Sequence, residues 1–255
     1  MIKIKGASLD ISAMNNEYTP NSLERQILNK MSSSSWEYRY NDSRQLKFEL
    51  DLRGNIVNAA RALNGSRIRF RVFHQSRCNL RYWDRTSNGG FRLKAGVKPS
   101  AAINDIFING SQYGTECATA MMIVFYKALL NVCKSDAFDK LFPQINLMNW
   151  NITEPLLKEA GIVKKAADVL PGDRGYFFNP DVSPADPEYR GENVIILPGG
   201  MYYGHGIGIA TSQKIIRNLN SYRRRNASRS AYLSDSVSRL NFKRLADSYF
   251  RLTGS

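Results

Sequence analysis

The stretch that determines the fold is Tyr113–Leu130, which reads YGTECATAMMIVFYKALL. It passes from a short loop through the small residues 118–120 into a long apolar run. Such a run predicts a buried helix whose first turn carries Cys117. The unpaired N–H groups and the positive dipole end of a helix stabilise a thiolate, the nucleophilic form of cysteine. Cys117 is therefore a candidate nucleophile; the alternative is that it is a small apolar core residue.

The residue before the cysteine, Glu116, acts in the opposite direction. Its negative charge raises the pKa of a neighbouring thiol and so opposes the helix dipole. We therefore do not expect a resting thiolate–imidazolium pair at Cys117. A thiol that transfers its proton to a partly buried glutamate during attack fits these charges better.

The composition is that of a globular chain without a disulfide framework. The 255 residues are 43% hydrophobic and 11% aromatic, which allows one large domain or two small ones. The cysteines Cys78, Cys117 and Cys133 form no CxxC motif, so we expect reduced thiols. Only His74 and His205 could complete a zinc site, which argues against structural zinc.

Neither a secretory signal nor a membrane span is predicted. The first six residues, MIKIKG, lack the apolar stretch of a signal peptide. The longest apolar run, 118–133, is interrupted by Lys127 and is too short to cross a bilayer. We expect no membrane partner.

The net charge of +14 bears on partners more than on fold. Much of it lies near the C-terminus, where only Asp235 and Asp247 oppose the basic residues. This region is interpreted either as a solvated helical face or as a docking surface for an acidic protein or polyanion. The basic residues concerned are Lys214, Arg217, Arg223, Arg224, Arg225, Arg229, Arg239, Lys243, Arg244 and Arg251.

The rest of the chain predicts a single compact α+β domain in which an antiparallel sheet packs against helices. Residues 1–42 are expected to be an irregular segment packed on the core, and 43–255 the catalytic domain. Helices are predicted at 43–64, 99–109, 212–219 and 228–244, in addition to the Cys117 helix. Predicted extended segments are 67–73, a hairpin of 80–85 with 91–94, a turn and strand at 170–178, and strands at 193–197 and 201–203.

Two further residues could complete a nucleophilic site, although each has a structural alternative. His205 stands between glycines at a strand end, and Glu192 opens the strand 193–197. His205 could be a structural histidine whose hydrogen bonds are satisfied, and Glu192 could simply pair with Arg190 at the surface.

The glycine-rich segment 204–208 lacks the spacing of a phosphate-binding loop. Arginines beside Tyr222 could suit nucleic acid, but no recognised nucleic-acid-binding motif accompanies them.

Three long motifs carry a family resemblance: YGTECATA at 113–120, RGENVIIL at 190–197 and YGHGIG at 203–208. Together they resemble the spore-associated protein-glutamine γ-glutamyltransferases of Bacillus-type bacteria. Further similarity at 219–223 and 230–233 extends the resemblance over most of the chain from about residue 44. It implies a papain-like core of the NlpC/P60 type, and the LPGD turn at 170–173 is similar to that pattern.

The resemblance implies roles for six positions. Cys117 would be the nucleophile and Glu192 its main catalytic partner. Glu116 would be a second carboxylate able to share that role, and His205 a supporting residue. Trp150 would line a substrate tunnel. Tyr189 stands where a member of the family has tryptophan, so acceptor preference could differ here.

The implied function is that of a calcium-independent transglutaminase with no metal or organic cofactor. It would join protein glutamine and lysine side chains through a cysteine thioester. Spore coat proteins would be the substrates, self-cross-linking is conceivable, and the location would be the sporulating cell and spore coat. The alternatives are a cysteine peptidase or amidase of the NlpC/P60 type and a basic, non-enzymatic coat scaffold. A nucleic-acid partner is not favoured.

Overall fold

The computed structural model describes residues 1–150, 152–166 and 168–254. Its α-helices are α1 Ser12–Glu17, α2 Leu23–Ser33, α3 Ser43–Gly65, α4 Pro99–Ile108, α5 Cys117–Leu141, α6 Ser212–Asn220 and α7 Phe242–Thr253. Its strands are β1 Ile2–Ile4, β2 Ala7–Ser8, β3 Tyr38–Tyr40, β4 Arg69–Phe70, β5 Trp83–Arg85, β6 Phe91–Leu93, β7 Gly114–Thr115, β8 Asn146–Leu147, β9 Lys164–Lys165, β10 Arg174–Phe178, β11 Gly191–Ile196, β12 Met201–Gly204, β13 Gly208–Thr211, β14 Tyr232–Leu233 and β15 Ser236–Val237.

Helix α5 forms the centre of the main hydrophobic core, as the sequence predicts. Its residues from Ala120 to Leu130 are buried apart from Lys127, and they pack against α3. Helix α3 begins at Ser43 as predicted, and Asp42 caps it by accepting a hydrogen bond from the Gln45 N–H. The central helix therefore carries Cys117 at its first residue, on a buried support.

A five-stranded antiparallel sheet, in the order β13-β12-β11-β10-β14, supplies the second layer. Ile195 and Tyr203 belong to the main core with α5, whereas Val194 and Ala210 pack with Ile215 of α6. Neighbouring residues of one strand thus bury opposite faces, as the two-residue period of a strand requires. The predicted α+β domain with an antiparallel sheet against helices is confirmed.

Most predicted elements from residue 43 to residue 220 are confirmed. The hairpin forms between β5 and β6, and α4 and α6 lie where the helices are predicted. The predicted strand 67–73 is shorter, because only Arg69–Phe70 is assigned to β4. The pairing with β7 still extends one residue beyond β4, because the Arg71 N–H donates a hydrogen bond to the Thr115 carbonyl at 2.8 Å.

The expectation that residues 1–42 are irregular is wrong. They contain α1, α2 and the sheet β2-β1-β3, in which β1 pairs in parallel with β3. These elements surround a small core that also includes Leu46 and Leu50 of α3, whereas Leu52 and Ile56 of α3 belong to the main core. Such short elements give too little periodicity to be recognised from sequence. The domain boundary at 42/43 stays a prediction.

The predicted helix at 228–244 is also wrong. The chain there forms β14 and β15, and α7 begins only at Phe242 after the cap Asn241. The buried carboxylate of Asp181 accepts hydrogen bonds from the backbone N–H groups of Ser228 and Arg229, which holds the segment in a loop. A contact between residues so distant in sequence overrides local helix propensity.

Helix α5 is, by length and composition, the one described helix that could cross a membrane. However, 72% of its most apolar window is buried inside the protein. That degree of burial is typical of a core helix and gives no support to a membrane span.

Candidate active site

Glu116 forms the N-terminal cap of α5, immediately before the candidate nucleophile. Its two carboxylate oxygens accept hydrogen bonds from the N–H groups of Ala118 at 2.5 Å and Thr119 at 2.7 Å. Burial nevertheless raises the pKa of this carboxyl. The structure thus places Glu116 beside Cys117 as predicted, but engaged in capping the helix.

A buried chain of polar side chains leads to the Cys117 thiol, and the sequence analysis did not assign it. Asn193 donates through Nδ2 to Cys117 Sγ at 3.2 Å, while its Oδ1 accepts from Arg174 Nη1 at 2.8 Å. The Arg174 guanidinium lies over the Trp150 ring, 4.3 Å from the centroid. Because Oδ1 faces Arg174, the Asn193 amide is held with its donor toward sulfur.

The position of Asn193 in the sheet explains how it reaches the thiol. Strand β12 pairs with β11 only as far as Val194 opposite Gly204, and the chain then turns away. The N–H of Asn193 is thereby left free of β12, and it acts with the side-chain amide to lower the pKa of the Cys117 thiol. Glu192, one residue earlier, lies near enough to the thiol for its carboxylate to raise the pKa of Cys117.

Glu192 is a buried carboxylate with one unused oxygen. Its Oε1 has no hydrogen-bond partner in the described part of the chain. Burial, reinforced by the charge of Glu116, raises the pKa of Glu192 well above the ordinary 4.5, and the backbone N–H of His205 opposes the shift. A Cβ at Gly204 would lie 2.9 Å from Glu192 Cγ and 3.0 Å from Oε1. Glycine at this position therefore provides the space for the carboxylate.

The Cys117 thiol is protonated at rest. Burial raises its pKa most, and the carboxylates Glu192 and Glu116 raise it further, whereas hydrogen bonds from Asn193 oppose the shift. The residue as a whole is half-buried. This arrangement agrees with the expectation of a thiol that loses its proton only during attack.

His205 is buried and neutral at ordinary pH. Burial lowers its pKa to about 4, although backbone carbonyls of Arg69 and Thr115 favour the charged form. Its Nδ1 lies 3.2 Å from the Tyr203 hydroxyl oxygen, and its ring packs against that of Phe70 with centroids 6.3 Å apart. No hydrogen bond joins the imidazole to Cys117 in the described part of the chain, and the supporting role of His205 stays a prediction.

The two predicted tunnel residues have different surroundings. Trp150 is half-buried beside Arg174, and the preceding Asn149 is tied to the start of α5 by a 2.8 Å hydrogen bond to Thr119 Oγ1. Tyr189 is half-buried and stacks on Tyr222, with ring centroids 3.4 Å apart and planes 2° from parallel. Trp150 is therefore linked to the thiol through Arg174 and Asn193, while Tyr189 belongs to a separate aromatic pair.

The described residues contain no group of three or more His, Cys, Asp or Glu side chains arranged to hold a metal ion. The polar groups near the thiol are instead two carboxylates, an amide and a guanidinium. They can accept a proton from sulfur and donate hydrogen bonds to it, which are the requirements of covalent acyl transfer.

Comparison with known proteins gives consistent matches. A family model described as protein-glutamine gamma-glutamyltransferase matches residues 1–249. Proteins of that name from Bacillus mycoides (strain KBAB4) and Bacillus cereus (strain AH820) are 43% and 45% identical over 242 and 237 residues. These alignments cover 94% and 92% of this chain and 87% and 85% of the relatives.

The fold has a solved counterpart. A transglutaminase from Geobacillus stearothermophilus (without C-terminal extension) superposes with a TM-score of 0.75 at 45% sequence identity. The superposition covers 81% of this chain and 97% of that one. Since the family model begins at residue 1, the similarity also includes the N-terminal segment that the sequence motifs did not connect to the family.

Proposed function

The chain belongs to the protein-glutamine gamma-glutamyltransferase family and is a transglutaminase; we propose that Cys117 forms its acyl-enzyme and that Glu192 is the proton acceptor. The observation that carries this assignment is the setting of the thiol. Sγ receives a hydrogen bond from Asn193, and the nearby Glu192 carboxylate has a raised pKa and a free oxygen. A carboxylate of raised pKa is a better base toward a thiol than an ordinary glutamate.

In the first half-reaction Sγ attacks the side-chain carbonyl carbon of a substrate glutamine. The thiol proton passes to Glu192, and the hydrogen bonds from Asn193 stabilise the sulfur as negative charge develops. The tetrahedral intermediate breaks its C–N bond, and Glu192 returns the proton to the departing ammonia. A thioester to Cys117 remains.

The start of α5 stabilises the oxyanion of the tetrahedral intermediate. Glu116 occupies the N–H groups of Ala118 and Thr119, whereas the Cys117 N–H makes no hydrogen bond within the described residues. That N–H is therefore the donor available to the oxyanion. Glu116 serves this site by fixing the first helical turn, and we assign it no proton transfer.

In the second half-reaction a lysine ε-amine attacks the thioester carbonyl. Glu192 accepts a proton from the attacking nitrogen, the C–S bond breaks, the sulfur recovers a proton, and an isopeptide bond is left. The amine must arrive uncharged, although its free pKa is about 10.4. The positive charge of Arg174, which lies over the Trp150 ring, disfavours an ammonium beside it and so favours the neutral amine.

The finer assignments rest on the family resemblance of the motifs. We propose that the reaction is calcium-independent, that spore coat proteins supply the glutamines and lysines, and that the enzyme acts in the sporulating cell and spore coat. A core of the NlpC/P60 type is supported by the combination of a cysteine at the N-terminus of a central helix with an antiparallel sheet packed beside it.

The test is amine incorporation in the presence of a chelator. A glutamine-containing protein is incubated with a fluorescent primary amine, and adducts are identified by mass spectrometry. Wild type should label glutamine with loss of ammonia, Cys117→Ala should be inactive, and Cys78→Ala, a matched cysteine control, should be active. Glu192→Gln should lose most activity. Thiol-dependent cleavage without labelling, or loss in His205→Ala with full activity in Glu192→Gln, would favour a cysteine peptidase instead.

A further inference from the structure

Four arginines, Arg67, Arg69, Arg71 and Arg77, lie on one short segment that carries no carboxylate. The segment reads RIRFRVFHQSR. None of the four side chains forms an ion pair or a hydrogen bond within residues 1–150, 152–166 and 168–254. Arg67, Arg69 and Arg77 are exposed, and Arg71 is half-buried. We name this group the arginine edge.

The basic C-terminal region, by contrast, is partly neutralised by distant carboxylates. Arg224 and Arg229 pair with the buried Asp181 at 3.3 and 2.9 Å. Arg239 pairs with Asp173 at 2.7 Å. Arg244 likewise pairs with Glu159 at 2.7 Å. Several arginines there have structural partners, so the C-terminal region is a weaker candidate for docking than its sequence indicates.

The arginine edge lies against the strand that leads to the nucleophile. The N–H of Arg69 donates to the Tyr113 carbonyl at 3.3 Å, and that of Arg71 to the Thr115 carbonyl at 2.8 Å. On the other side of β7, Arg77 exchanges two backbone hydrogen bonds with Gly114, at 2.8 and 2.9 Å. Strand β7 is thus held between two arginine-bearing segments.

This placement brings the positive charge close to the thiol. Thr115 is two residues before Cys117, so the Arg71 backbone lies on the order of 10 Å from the nucleophile. The Debye length at physiological salt is about 8 Å. A residue two or three positions from a glutamine bound at Cys117 lies roughly 7–10 Å along the chain from it, so its charge can approach the arginine side chains to within one Debye length.

The backbone of this segment also fixes which way its side chains face. Phe70 packs against the His205 ring on the protein side. Its neighbours Arg69 and Arg71 point to the opposite face because strand residues alternate. Arg67 has a φ of 69°, a left-handed conformation that costs a non-glycine residue energy. An arginine at a strained, exposed position is more consistent with a surface role than with folding.

We propose that the arginine edge binds acidic residues flanking the reactive glutamine of the donor substrate. This inference deepens the proposed function and rests on it. An acidic protein segment fits better than nucleic acid, because the edge adjoins β7 and the thiol of an enzyme whose substrates are proteins. Arginine is also well suited to carboxylates, which it can bind through two parallel hydrogen bonds.

The experiment compares two glutamine peptides that differ only in their flanking residues, aspartate in one and serine in the other. Binding is measured with Cys117→Ala by fluorescence anisotropy, and kcat/KM is measured with wild type and a fluorescent amine. The test variant is R67Q/R69Q/R77Q. A matched control, R217Q/R225Q/R251Q, removes the same charge from exposed positions on α6, the following loop and α7.

We expect kcat/KM for the aspartate peptide to fall about tenfold in the test variant, since each exposed ion pair contributes little alone. The serine peptide should be unaffected, and the control variant should behave as wild type. Raising ionic strength to about 0.5 M, where the Debye length is roughly 4 Å, should abolish the preference of wild type.

Three results would overturn the inference: equal binding of both peptides to Cys117→Ala, an equal loss in the control variant, or arginine-dependent binding of a single-stranded oligonucleotide with no preference for the aspartate peptide. Failure of the proposed function gives a different result. In that case wild type labels neither peptide, while the anisotropy measurement still reports whether the acidic peptide binds the edge.

Discussion

Replacement of Asn193 by leucine should impair both stability and catalysis, through two different bonds of one amide. Leucine has a similar shape but neither donates to Cys117 Sγ nor accepts from Arg174 Nη1. Arg174 is only 3% exposed, and Asn193 is the one hydrogen-bond acceptor of its side chain within the described residues. Asn193→Leu would therefore leave a buried guanidinium without an acceptor.

The size of both effects follows from these contacts. A hydrogen bond to a charged group contributes about 1.5–3 kcal/mol, so the free energy of unfolding should fall by roughly that amount. In a chain of this size the Tm should fall by roughly 5–10 °C. Loss of the hydrogen bond to the developing thiolate should lower kcat/KM roughly ten- to a hundredfold.

A double-mutant cycle separates the two roles. Arg174→Met removes the buried charge, so in the double variant both partners are apolar and no buried group lacks its partner. The double variant should be more stable than Asn193→Leu by about 1–2 kcal/mol in urea unfolding, yet no more active in amine incorporation. The coupling of Arg174, Asn193 and Cys117 is refuted if the two losses of stability simply add, or if Asn193→Leu unfolds like wild type.

Four other changes test the remaining parts of the site. The acid limb of the kcat/KM pH profile should lie above pH 4.5, because Glu192 must be ionised and its pKa is raised; Glu192→Gln should remove that limb along with most activity. Glu116→Ala should cost about 0.5–2 kcal/mol in urea unfolding through the lost helix cap, whereas Glu116→Gln should retain far more activity than Glu192→Gln. In Gly204→Ala the alanine Cβ would approach the Glu192 carboxylate to 3.0 Å. The main effect should be a lower kcat, with a smaller effect on Tm; unchanged kinetics would contradict this. The folded-state pKa of His205 is about 4, against 6.5 for the free group, so the unfolded chain binds more protons between these two pH values. Up to about 3 kcal/mol of stability should therefore be lost as the pH falls from 6.5 to 4. Urea titrations at a series of pH values should show that His205→Gln flattens this dependence.

The sequence was sufficient where a feature depends on local pattern. The apolar run after Cys117 is long enough to specify a buried helix, and the glycine and β-branched residues from 191 to 204 specify short strands. The sequence also predicts a thiol that is protonated at rest, because Glu116 is adjacent; in the structure burial and Glu192 raise the pKa of Cys117 more than Glu116 does.

Features that depend on contacts between distant residues were not predictable in this way. Asn193 was visible within the RGEN motif, but its role requires Arg174 and the thiol, 19 and 76 residues away in the chain. The loop at 228–231 depends likewise on Asp181, which no local pattern connects to it. The sequence likewise shows the Glu116 carboxylate but not the N–H groups of Ala118 and Thr119 that donate to it, and its role as a second base stays a prediction.

Helix α3 contributes to two cores: Leu46 and Leu50 pack with the N-terminal elements, and Leu52 and Ile56 pack with α5. A protease that removed the N-terminal elements would therefore not release a trimmed, working enzyme. It would uncover apolar side chains on a helix that supports the nucleophile's own helix, and the truncated chain would tend to associate with other molecules through that face. The N-terminal layer thus behaves as part of the catalytic body, and variation in it should affect turnover as well as solubility.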